Sequence, residues 1–80
     1  MKTTYYLTLE RNNDMLDDTK FDNIDDMYAY LNKTLPYEPT ETGAYVDEVD
    51  NETGEVLSQD IYTWEDNTLY VENTYTAVGA

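Results

Sequence analysis

Cysteine and histidine are both absent from this 80-residue chain. The first absence excludes a disulfide framework, and the two together exclude thiolate and imidazole metal ligands. They also exclude Ser-His-Asp, Cys-His and histidine acid–base machinery. With three glycines and two prolines, the chain has too few of either for a flexible linker. Long apolar runs are missing too. Met1-Lys2 leads directly into Thr3-Thr4-Tyr5-Tyr6, with nothing of signal-peptide or membrane-spanning length, so a cytoplasmic location is expected. Without a secretory signal, the sequons Asn32-Lys33-Thr34 and Asn51-Glu52-Thr53 read as chance matches in an Asn- and Thr-rich chain. Positive charge is scarcest of all. Four Lys+Arg stand against 18 Asp+Glu, for a formal net charge of −14. Such a charge opposes direct binding to nucleic acid or to an anionic membrane, both polyanions, and calls for a basic partner.

A mean hydropathy of −0.76 with this net charge is the composition of a disordered chain. Aromatic content and periodicity argue the other way. Nine tyrosines contribute to an aromatic fraction of 14%, and the apolar residues recur at regular spacings. A single folded domain over residues 1–80 is therefore expected, near the size at which one core just suffices.

Tyr5, Leu7 and Leu9 alternate with Tyr6, Thr8 and Glu10, the period of a half-buried strand. Arg11-Asn12-Asn13-Asp14 reads as a turn, and Met15–Lys20 as either a loop or a short second strand. Phe21, Ile24, Met27, Tyr28 and Leu31 share one face of a helix that Asp22 or Asn23 can cap and Pro36 stops. Residues 36–43 form a connecting loop, and a β-meander follows. Its strands are Tyr45–Asp50, Glu55–Thr63 and Thr68–Thr76, joined by turns at Asn51-Glu52-Thr53-Gly54 and Trp64-Glu65-Asp66-Asn67. The expected fold is α+β: one amphipathic helix packed on an antiparallel sheet of about four strands, in the order β-(β?)-α-β-β-β.

All four basic residues, Lys2, Arg11, Lys20 and Lys33, precede position 34. Residues 34–80 hold none, yet carry Glu38, Glu41, Asp47, Glu48, Asp50, Glu52, Glu55, Asp60, Glu65, Asp66 and Glu72. These carboxylates must face water, cations or a basic partner. On adjacent strands they form a two-dimensional array with spacings of ~4.8 and ~6.7 Å, a scale on which they can stand in for phosphates. Around the helix start, Asp22 and Asp25 suit a cap, whereas Asp14, Asp17 and Asp18 are free for contact. Tyr6, Tyr62 and Tyr70 are assigned to the outward face with Glu10, Asp60 and Glu72, and Trp64 either covers the end of the core or anchors a contact. Exposed aromatics beside carboxylates suit Arg-rich targets. The candidate partner-binding set is Asp14, Asp17, Asp18, Asp47, Glu48, Asp50, Asp60, Tyr62, Glu65, Asp66, Tyr70 and Glu72. No catalytic, cofactor or metal site is expected. Acids are too numerous for any one pair to stand out, and neither Asp14–Lys20 nor Asp47–Gly54 has EF-hand spacing.

In size, charge, lack of cysteine and the base-free stretch 34–80, the chain is similar to the small acidic inhibitors of phages and mobile elements. These include DNA-mimic anti-restriction proteins, anti-CRISPR proteins and uracil-DNA glycosylase inhibitors. The resemblance covers the whole chain as composition and no part of it as a motif, so it assigns no residue a role. It implies a non-enzymatic inhibitor in the host-cell cytoplasm that occupies the basic groove of a nucleic-acid-binding defence protein, such as a CRISPR or restriction nuclease. The other reading is an acidic interaction or regulatory module for a basic partner, antitoxin-like or adaptor-like. Such a module needs an apolar hot spot with a charged rim rather than acids spread along strands.

Overall fold

A computed structural model describes residues 2–11, 14–39 and 42–78. The expected turn residues Asn12 and Asn13, and Thr40 and Glu41 of the connecting loop, lie outside the described residues. β1 (Thr3–Arg11), β2 (Asp14–Phe21), α1 (Ile24–Thr34), β3 (Gly43–Asp50), β4 (Val56–Glu65) and β5 (Thr68–Thr76) follow in chain order, with a 3₁₀ turn at Leu35–Tyr37. All five strands join one antiparallel sheet in the order β2-β1-β3-β4-β5. The fold class is thus α+β, and the ambiguous segment after Asn13 is a full edge strand. Phe21 ends that strand rather than beginning the helix, and packs on Tyr30 with ring centroids 5.3 Å apart.

Helix α1 starts where its first-turn donors find acceptors. The Asn23 side chain accepts from the Asp26 amide at 2.8 Å and donates to the Asp26 carboxylate at 3.0 Å. Asp25 and Asp26 occupy the first turn and Lys33 the last, each on the side the helix dipole favours. Pro36, lacking an amide proton, ends the regular helix and falls within the 3₁₀ turn.

The core lies between α1 and one face of the sheet. Leu7, Leu9, Ala44, Val46 and Tyr62 rise from the strands to meet Met27, Leu31 and Leu35. Leu7, Met27 and Leu31 are fully buried. Trp64 belongs to β4, where it packs against this cluster, and is not part of the turn that follows. That turn has only two residues, Asp66 and Asn67, with φ of 52° and 60°, the left-handed pair that matches strand twist in a tight hairpin.

Parity across β4 corrects one expectation. Tyr62 pairs with Ala44, and Asp60 with Val46, so both side chains are on the helix-covered face and not on the outward one. Tyr62 is 4% exposed and its ring stands edge-on to Tyr28. The source of the misreading is the shortness of the helix. Eleven residues span ~16 Å, against ~30 Å for a nine-residue strand. A helix of that length does not cover the whole face, and polar residues such as Asp60 and Glu48 share it with the core.

Among the described residues one ion pair forms, Arg11 Nη1 to Glu38 Oε2 at 2.9 Å. Little offsets carboxylate repulsion, so the melting temperature is expected to rise with added NaCl. Thermal melts at low and high salt check this, and a flat or falling trend would show that the acids are already compensated.

Candidate functional site

Among the described residues, no helix or further strand covers the face of the sheet opposite α1. Two rows of side chains cross it, each taking one residue from every strand. The first runs Lys20, Tyr6, Asp47, Gln59, Tyr75, and the second runs Asp18, Thr8, Tyr45, Ile61, Glu72. At ~4.8 Å per strand each row spans ~19 Å. Beside them, Met15 pairs with Glu10 and Tyr70 with Thr63. Tyr6, Tyr45, Tyr70 and Tyr75 are 38–50% exposed, so four phenol rings stand in water among carboxylates. Lys20 is the one cation in the two rows.

Several of these carboxylates are held by neutral donors. Thr8 Oγ1 donates to Asp18 at 2.6 Å, Gln59 Nε2 to Asp47 at 3.1 Å, and Tyr45 Oη to Glu10 at 3.2 Å. Neutral donors orient a carboxylate without cancelling its charge. The arrangement is therefore a fixed, negatively charged surface with aromatic rings in it.

The remaining candidates lie elsewhere. Glu48, on the helix side, accepts from Tyr5 and Ser58, each at 3.3 Å. Asp60 accepts from Asn73 at 2.8 Å. Asp50 is 9% exposed and takes the Glu52 amide at 2.8 Å, so its work is to shape the β3–β4 hairpin. Glu65 and Asp66 are exposed at the β4–β5 turn. Asp14 and Asp17 belong to β2 by backbone, and their side chains lie outside the described residues. Of the twelve, the uncovered face brings together Asp18, Asp47, Tyr70 and Glu72, with Glu65 at its end.

Neither Tyr45 nor Tyr75 was among the tyrosines expected on the outward face. In β5 the register shifts, with Gln59 opposite Tyr75 but Asp60 opposite Asn73, so Thr74 is an extra residue. This bulge reverses the alternation and turns Tyr75 onto the uncovered face. Asn73 secures it, its side-chain amide donating to Asp60 and to the carbonyls of Gln59 and Tyr75.

Three phenols have raised pKa values. Burial, then the Tyr28 hydroxyl, pushes Tyr62 far up; burial, then the Glu48 charge, raises Tyr5; the hydrogen bond to Glu10 raises Tyr45. Each favours the neutral phenol in the folded state. Their stabilisation is thus complete below the unfolded value near ~10 and is lost as pH rises through the folded values. An ultraviolet titration is expected to show Tyr62 ionising only on unfolding in alkali. Ionisation of all nine tyrosines in the folded state near pH ~10 would contradict its burial.

A concavity of about 670 Å³ lies on the helix side beside Lys2, Tyr5, Asn23 and Asn51. It pairs no nucleophile with a base. Among the described residues no group of three or more acidic side chains is placed to hold a metal ion, and no helix is long and apolar enough to cross a membrane. No protein family, curated protein or solved structure matches the chain.

Proposed function

We propose that the uncovered face docks onto a basic nucleic-acid-binding protein and excludes nucleic acid from its groove, making the chain a non-enzymatic charge mimic. The observation that carries this reading is the pair of five-strand rows, in which Asp18, Asp47 and Glu72 are spread across the whole sheet beside exposed tyrosines, with Lys20 the one cation. A surface of that sign attracts Lys- and Arg-lined grooves over distances set by the ionic strength. Tyrosine adds rigid area on which guanidinium groups stack. The compositional similarity to phage and mobile-element inhibitors points to a defence nuclease of the CRISPR or restriction type as the target, met in the host cytoplasm.

The test is competition. A partner captured from lysate is assayed for nucleic-acid binding with and without the chain, at two salt concentrations. The single reversals Asp18→Lys, Asp47→Lys and Glu72→Lys are each expected to weaken inhibition about two- to fivefold, since exposed pairs are worth ~0.2–1 kcal/mol. Inhibition by the unsubstituted chain is expected to fall steeply with salt. The exposed tyrosines favour a second reading, an acidic module that docks through an aromatic anchor. In that case binding would be insensitive to salt, Tyr70→Ala would account for nearly all the loss, and the charge mimic would be overturned.

A further inference from the structure

The two edges of the sheet differ. β2 carries Asp14, Asp17, Asp18 and Lys20 in eight residues, the charged edge by which sheets avoid unwanted pairing. β5 carries Glu72 alone in nine, and all of its residues but Leu69 are exposed. Beside it on the helix side, the short helix leaves a groove of about 300 Å³ lined by Tyr28, Asn32, Tyr62, Leu69 and Val71. Val71 is 57% exposed in this groove, although its strand partner Tyr62 is buried.

We propose that β5 accepts an extended segment of a basic partner as a sixth strand, along the regular stretch from Thr68 to Glu72. An added strand takes up the unpaired backbone groups of the edge, and its alternate side chains fall on opposite faces. Those on one face enter the groove against Leu69 and Val71 and are apolar. Those on the other stand beside Thr68, Tyr70 and Glu72, where lysine or arginine meets a carboxylate and an aromatic ring. The occupant is therefore an alternating apolar–basic strand. Charge decides against a second copy of the chain, which would bring a further −14 to the same edge. The bulge at Thr74 ends the regular edge, which limits the paired length to about five residues. This inference takes only the sign of the partner's charge from the balance of acids and bases, and stands whether or not that partner binds nucleic acid.

The probe is a synthetic heptapeptide of alternating lysine and valine, titrated into the isotopically labelled chain at ~0.15 M salt, where screening is about 8 Å. A second heptapeptide of identical composition, with four lysines followed by three valines, controls for charge alone. The alternating peptide is expected to shift the amide signals of Thr68–Glu72 and of Tyr28 and Asn32. It is also expected to slow exchange of the β5 amides about tenfold. Val71→Lys, at an exposed position that the fold tolerates, is expected to weaken this binding about tenfold. An equal response to the blocked peptide would overturn the proposal, as would shifts confined to the uncovered face. So would sedimentation of the free chain as a dimer with β5 amides already protected. Tyr70 and Glu72 border both surfaces, whereas Val71 lies in the groove and Asp18 and Asp47 lie strands away, so Val71→Lys tests this inference and Asp18→Lys and Asp47→Lys test the competition separately.

Discussion

Tyr62→Ala is expected to destabilise the fold by ~3–5 kcal/mol, whereas Tyr70→Ala, only a few strand positions away, should change stability by no more than ~0.5 kcal/mol. The two tyrosines lie on adjacent strands and have similar sequence surroundings, yet Tyr62 is 4% exposed and Tyr70 is 50% exposed. Removing the Tyr62 ring opens a cavity in the core beside its strand partner Ala44 and deprives Tyr28 of its edge-on partner at 5.8 Å. Tyr70 is not part of the buried core, so removing its ring opens no cavity there. Tyr62→Phe isolates the hydroxyl: its contact with Tyr28 Oη is long, at 3.4 Å, so the loss should be at most ~1 kcal/mol. Urea denaturation of the three variants reads all of this directly. Equal, small losses from both alanine substitutions would mean that β4 presents Tyr62 outward after all.

The second large effect is expected from Leu31→Ala, a loss of ~2–5 kcal/mol. Leu31 is fully buried, and α1 contributes only Met27 and Leu31 to the buried core before Leu35 in the following turn. A small domain has ~5–15 kcal/mol in total, so this variant is expected to populate its unfolded state measurably on mild heating. Self-repulsion at −14 makes the loss greater at low salt. Circular dichroism melts of the variant across a salt series check both points. A Leu31→Ala protein as stable as the parent would mean that the helix does not hold the sheet face.

The alternation of Tyr5, Leu7 and Leu9 and the bounds of Thr68–Thr76 could be read from the chain because each follows a simple period or a turn rule. β2 was harder. Asp14, Asp17 and Asp18 are poor strand formers, and Phe21 happens to sit in phase with the helical apolar face. Only pairing with β1 fixes those residues as an edge, and pairing over that range is not a local property. The uncovered face was legible where alternation is regular, as at Tyr6, Tyr70 and Glu72. It was lost at Tyr75, where a single extra residue reverses the phase. Asp60 misled for a different reason. A polar residue on the core face reads as outward unless the length of the covering helix is known.

The strand order has a consequence for the time course of folding. β3, β4 and β5 pair through tight hairpins, and contacts of that kind form within microseconds. β1 instead pairs with β3 across the whole of β2 and α1, bringing Thr3 to Asp50 and Glu10 to Gly43. The entropy of closing so long a loop must be met before any β1–β3 contact repays it. Seating of β1 is thus the slow event. Substitutions at Leu7 are expected to retard refolding, and those in the β4–β5 hairpin to alter chiefly the rate of unfolding.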